Sequence, residues 1–150
     1  MDFENAEIID NVETCRYLEL EDVKNISQPS VYFSLIHVNI VSLNKNIDKI
    51  RSLLYSMDNN PDIIGVSETR INDDNRLLSE CELSGYDFIY DNSPTNGRPG
   101  GAGFFIKNDI DYTIRNDLKL SSPDCENVWI ETNINGKKKY MRCTLSSSTA

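Results

Sequence analysis

Tyr32-Phe-Ser-Leu-Ile-His-Val-Asn-Ile40 and Asp62-Ile-Ile-Gly-Val-Ser-Glu68 decide the fold of this chain. Each is a short, nearly continuous apolar run rich in β-branched residues, the pattern of a strand covered on both faces. Between them Leu43, Ile47, Ile50, Leu54 and Met57 recur every three or four residues, which predicts an amphipathic helix over 43–58. Ser42 stands where it can cap the start of that helix, and Asn59-Asn60-Pro61 where it must stop. Strand, helix, strand with a right-handed crossover gives two parallel neighbours whose carboxyl ends open on one edge. That edge is where open α/β sheets bind ligands. It receives two polar side chains, Asn39 and Glu68, about 5 to 10 Å apart given the spacing of adjacent strands.

Beyond Glu68, the segment Thr69-Arg-Ile-Asn-Asp-Asp-Asn75 is a loop on the same edge, and Arg76 to Cys81 reads as a short helix. Tyr86-Asp-Phe-Ile-Tyr90 alternates as a strand, and Ala102-Gly-Phe-Phe-Ile-Lys107 returns antiparallel to it after a turn-rich loop. The glycines at 100, 101 and 103 do not make a phosphate loop, because no helix follows and the Gly-Lys-Ser/Thr signature is absent. Close backbone packing at a strand start explains them better. Asp111 to Arg115 is a short strand. Glu126 to Asn133 places Val128 and Ile130 on one face and Trp129 on the other, and Asn135-Gly136 turns it into Lys137–Cys143. The three lysines at 137–139 guard a sheet edge, and Arg98 is a solvated loop cation that could reach a phosphate.

The 150 residues make one ordinary domain or part of a larger one. No run approaches the roughly 20 apolar residues of a membrane span. The acidic start Met1-Asp-Phe-Glu lacks the basic and apolar regions of a secretory signal, so a nuclear or cytoplasmic rather than a secreted protein is expected. Cys15, Cys81, Cys125 and Cys143 are scattered, with one His in the chain, which favours reduced thiols over a disulfide framework or a zinc site. The net charge of −9 argues against a general nucleic-acid coat. Most of that charge sits in residues 1–30, with eight acids and two bases, whereas the rest is only −3. Residues 1–30 are expected as a largely disordered acidic leader, 31–143 as the folded domain and 144–150 as a polar tail.

Glu68, closing an apolar strand, has the chemistry to bind Mg²⁺ through one carboxylate while water and a substrate phosphate fill the other positions. The plain alternative is a carboxylate emerging into solvent. Asn39 can orient a catalytic water or carboxylate, or cap the turn that follows it. His37 shares a strand face with Asn39 and reads as a hydrogen-bonded core histidine rather than a base.

The order His37-Val-Asn-Ile-Val-Ser-Leu43, amphipathic helix, Pro61-Asp-Ile-Ile-Gly-Val-Ser-Glu-Thr69, Gly85-Tyr86, Gly100-Gly-Ala-Gly-Phe-Phe-Ile106 resembles the endonuclease/exonuclease/phosphatase family. More narrowly, it is similar to the apurinic-type endonuclease domain of non-LTR (LINE-type) retrotransposons, from about Cys15 to Lys139. The resemblance implies a DNase I-like four-layer α/β sandwich and Mg²⁺-dependent (Mn²⁺ being the expected substitute) hydrolysis of DNA phosphodiesters. Asn39 and Glu68 match the family's catalytic asparagine and its metal-ligating glutamate.

Two residues depart from that pattern: Val41 replaces an arginine, and Arg70 replaces a tryptophan. The family's later motifs, a Tyr-Arg strand followed by proline, a Gly-Asp-Phe-Asn-like segment and a Ser-Asp-His, have no match after Tyr140. The expectation is therefore the N-terminal half of such a domain, inactive alone and holding its metal weakly. Its fold would be a partial sandwich: one mixed sheet with a covering helix, the second sheet missing, and self-association through the face left exposed. Two other readings are a non-catalytic interaction module using that face and a phosphatase-like member of the same superfamily.

Overall fold

The computed structural model describes residue 22 and residues 33–72, 81–92, 100–123 and 125–146. The expected leader, apart from residue 22, the expected helix at 76–81 up to residue 80, the loop carrying Arg98 and residues 147–150 lie outside the described residues.

The two decisive apolar runs form β1 (Leu35–Asn39) and β2 (Ile63–Ser67), parallel and in register from Leu35 opposite Ile63 to Asn39 opposite Ser67. The helix between them, α1 (Leu43–Ser56), buries Leu43, Ile47, Ile50 and Leu53. β3 (Tyr86–Asp91) and β4 (Ala102–Lys107) pair antiparallel, and β4 pairs antiparallel with β2, giving the order β1-β2-β4-β3. Alternation divides the side chains of this sheet between two cores. Ile36, Val38, Ile64, Val66 and Phe105 face α1, whereas Ile63, Ala102, Phe104 and Ile106 face the other way.

That second face is not exposed. β5 (Tyr112–Ile114), β6 (Cys125–Ile134) and β7 (Lys137–Ser146) form a second antiparallel sheet, and Val128, Ile130, Met141 and Cys143 close a core against Ile63, Phe104 and Ile106. The chain is an α/β sandwich as expected, but the expectation of a missing second sheet is overturned. The surface proposed for self-association, or for an interaction module, is buried instead. The physical reason is simple: β6 and β7 each carry an apolar face that had to be covered, and the bare face of the first sheet covers it. β7 lies across β2 and β4, and β6 across β4 and β3. Leu35, His37 and Asn39 on the inner face of β1 are half-buried, with Leu35 packed against the core between the sheets. β7 continues through Ser146, beyond Cys143 where the sequence places the end of the strand.

Local details explain the joins. Asn135 and Gly136 have φ of 52° and 75°, the pair of left-handed residues that a two-residue hairpin loop requires. A Cβ on Gly103 would lie 2.7 Å from the Ile89 carbonyl oxygen and 2.9 Å from the Phe88 ring, so this glycine permits close packing of β3 on β4. At the end of the sheet away from Asn39, Asp62 accepts from the Ser34 amide (2.7 Å) and hydroxyl and pairs with Lys107 at 3.1 Å, tying β1, β2 and β4 together.

The Cys143 thiol, almost wholly enclosed between the sheets, donates to the Val66 carbonyl, and burial pushes its pKa up to about 11. The Tyr86 phenol is also raised, first by burial and then by Asp62 and Asp109. Both groups are protonated in the folded and unfolded states below about pH 8, so their contribution is fully present there. As pH climbs through the folded-state value, only the unfolded chain ionises readily and stability is lost. Urea unfolding between pH 9 and 11 should therefore show a decline of up to about 2 kcal/mol from Cys143. In Cys143→Ala, less stable at every pH because of the cavity, that decline should be visibly shallower.

Candidate functional site

Asn39 is the last residue of β1 and Glu68 the first after β2. The parallel register puts both at one corner of the sheet, and the Asn39 amide donates to Glu68 Oε1 at 3.0 Å. The two residues that the sequence singled out are therefore in direct contact. His37 lies on the same face of β1, opposite Gly65, where an added Cβ would come within 3.1 Å of the imidazole ring. Its ring thus packs over the glycine of the neighbouring strand, and the residue is half-buried rather than in the core.

The loops beyond the strands are laced together by main-chain hydrogen bonds. Ile40 N donates to Ser67 O at 3.0 Å, Ser42 N to Glu68 O at 2.8 Å and Leu43 N to Thr69 O at 2.9 Å. On the other side, Thr69 N reaches Gly101 O at 3.3 Å and Arg70 N reaches Gly100 O at 2.9 Å. Val41, Ser42, Glu68 and Arg70 all have positive φ (46°, 83°, 53° and 54°), so four L-residues take the left-handed conformation at this corner. Each such residue costs about 1 to 2 kcal/mol, and a cluster of them persists only where surrounding bonds fix it.

The same lacing overturns one detail of the sequence reading. Ser42 does not cap α1 with its side chain. Its positive φ serves the bond from its own amide to Glu68. Asn46 ties the helix start instead, its side-chain amide donating to the Ile40 and Val41 carbonyls at 3.0 and 2.8 Å.

The donor set is informative. Asn39 Oδ1 is buried and receives no hydrogen bond, while Asn39 Nδ2 is committed to Glu68. An unfilled amide oxygen beside a carboxylate offers two hard oxygen donors from adjacent strands, which fits Mg²⁺ or Mn²⁺ chemically. Among the described residues, no group of three or more His, Cys, Asp or Glu side chains surrounds this point or any other. Sequence reasoning missed the polar residues on the remainder of this edge. In register with Asn39 and Ser67 come Ala102 and then Asp91, the last residue of β3. Asp91 Oδ2 accepts from the Asn127 backbone N–H of the second sheet, a cross-sheet bond that no local pattern announces.

Comparison with solved structures finds the AP endonuclease LMAP from Leishmania major similar in fold, with a TM-score of 0.58 over 90% of this chain and 14% sequence identity. The chain spans about half, 53%, of that protein. A 3′ phosphatase, NExo from Neisseria bound to a product DNA hairpin, aligns over 71% of this chain and 39% of its own at a TM-score of 0.43 and 15% identity. No family model matches the sequence, and no curated protein matches it significantly. The fold is therefore that of the DNase I-like α/β sandwich.

Placing a second carboxylate beside Glu68 tests the corner directly. Asn39→Asp replaces an attractive 3.0 Å contact by like charges, and should destabilise the fold by about 1 to 3 kcal/mol at pH 7. One carboxyl of the new pair acquires a raised pKa, so the loss should shrink as pH falls below it. Urea midpoints at pH 7 and pH 4, with and without Mn²⁺, read the effect. Recovery at low pH and with the cation is expected.

Proposed function

We propose that this chain carries the first part of a Mg²⁺-dependent phosphodiesterase centre that acts on DNA. The observation behind the proposal is the unfilled Asn39 Oδ1 next to the Glu68 carboxylate, on a DNase I-like sandwich. Glu68 is the metal ligand, and the Asn39 amide fixes the orientation of its carboxylate. A divalent cation held there would stabilise charge developing on a phosphate during in-line attack by water. The left-handed backbone at Glu68 and Arg70 delivers the carboxylate without waiting for a loop to order.

A metal held by one carboxylate is weak until a substrate phosphate joins it. The groups that would activate water have no counterpart beside Glu68 among the described residues. The open side of β7, next to the half-covered inner face of β1, is where further strands would bring them. The chain alone is accordingly a metal- and phosphate-binding half-site with little or no catalysis. In its full setting the activity is that of an endonuclease that nicks DNA, in a retrotransposon polyprotein whose reverse transcriptase is primed at the nick.

Calorimetric titration with Mn²⁺ is the test. Binding in the millimolar range is expected for the chain alone, tightening at least several-fold with a short DNA duplex present, and lost in Glu68→Gln. Supercoiled plasmid with Mg²⁺ should remain largely un-nicked. Metal binding indifferent to Glu68 would reject the site. Robust nicking abolished by Glu68→Gln would instead establish a complete centre in this chain.

A further inference from the structure

The outer sides of the two sheets are covered differently. α1 packs across the outer side of the first sheet, whereas among the described residues no helix of that length packs on the second. Alternation turns Val128, Ile130, Met141 and Cys143 inward and so turns Trp129, Glu131, Tyr140 and Arg142 outward. The outward side chains make a grid of rings and cations. The Arg142 guanidinium lies 5.3 Å from the centre of the Trp129 ring, and the Arg115 guanidinium 5.3 Å from that of Tyr140. Tyr140 nevertheless remains 51% exposed.

Cations outnumber carboxylates on this strand pair. Glu131 answers both Arg115 and Lys138, and Asp117 answers Arg115 again. Lys137, Lys139 and Arg142 have no carboxylate partner among the described residues, and β7 contains no acid of its own. Exposed rings beside unmatched cations fit a segment that brings carboxylates and apolar side chains together. The chain contains such a segment, outside the described residues. Residues 1–21 hold seven acids and one base, a balance of −6. Ile8, Ile9, Val12 and Cys15 recur at helical spacing, and Glu4 and Glu13 border that apolar side.

The point where this segment joins the fold also fits. Asn127 meets Asp91 at the end of the sandwich that carries Asn39. The Asn135-Gly136 hairpin therefore lies at the other end, where Phe33 and Ile134 both pack against the core between the sheets. Residues 22–32 connect the leader to Phe33. A linker of that length reaches at most roughly 37 Å, well beyond the sheet-to-sheet spacing of about 10 Å. We propose that residues 1–21 dock in cis on the outer face of the second sheet. Their carboxylates meet Arg142 and the lysines beside the hairpin, and their apolar side covers the Trp129 and Tyr140 rings. This surface is separate from the Asn39–Glu68 corner and does not depend on what that corner binds.

A nitroxide attached at Cys15 of the full chain tests the docking. Cys81 and Cys143 are buried, and Cys125→Ser removes the remaining thiol while keeping a hydroxyl for Thr144. In amide-resolved NMR spectra at low salt, the backbone amides of Trp129, Tyr140 and Arg142 should lose about half of their intensity or more. They should recover at about 1 M salt, where the Debye length is about 3 Å. Arg142→Gln combined with Lys138→Gln should bring the same recovery at low salt, with circular dichroism confirming its fold. Intensities on β6 and β7 indifferent to the nitroxide would overturn the proposal. So would broadening that appears only when isotope-labelled chain is mixed with unlabelled chain carrying the nitroxide, which would make a second copy the occupant. A face left sharp by the nitroxide but shifted by a short DNA duplex would assign it to nucleic acid instead.

Discussion

A few main-chain hydrogen bonds beyond the ends of β1 and β2 hold this molecule's working corner in place. Parallel pairing formally stops at Asn39 and Ser67, yet Ser42 and Leu43 go on to donate to Glu68 and Thr69, and Thr69 and Arg70 donate to Gly101 and Gly100. Three chain segments are thereby stitched side by side where loops would ordinarily diverge. The stitching requires left-handed backbone at Val41, Ser42, Glu68 and Arg70, none of them glycine. Strain of that kind concentrates where geometry matters more than stability. Here its effect is to point one carboxylate at one amide from the neighbouring strand.

The two sheets give the corner its surroundings. β7 crosses β2 and β4, and the inner side of β1 stays half-buried from Leu35 to Asn39. From Asn39 the row in register runs to Asp91, where the second sheet is bonded to the first through the Asn127 backbone N–H. One polar edge thus carries the Asn39–Glu68 contact at one end and the Asp91–Lys119 ion pair at the other.

Much of this was legible in the sequence because it is local. The apolar runs at 35–39 and 63–67, the helical spacing of Leu43, Ile47 and Ile50, and Asn135-Gly136 each specify an element without outside help. The contact of Asn39 with Glu68 followed from a crossover whose handedness is nearly fixed. The second sheet escapes a motif-based reading, because the absence of the later motifs does not remove the layer that β6 and β7 build. The alternation of Val128 with Ile130, and of Met141 with Cys143, already required a covering face. The Ser42 cap failed for another reason: tertiary bonds to Glu68 outweighed a local preference. Asp91, Lys119 and Asn127 could not be read as a group, since only the packing of one sheet on the other brings them together.

Paramagnetic relaxation by Mn²⁺ in amide-resolved NMR spectra tests the central claim most directly, since broadening falls off steeply with distance from the ion. At low Mn²⁺ the account expects the Asn39 side-chain amide and the backbone amides of Glu68, Thr69 and Arg70 to broaden first, and this pattern to vanish in Glu68→Gln. Broadening centred on the surface acids Asp48 or Asp117, or a pattern at Asn39 unchanged by Glu68→Gln, would contradict it.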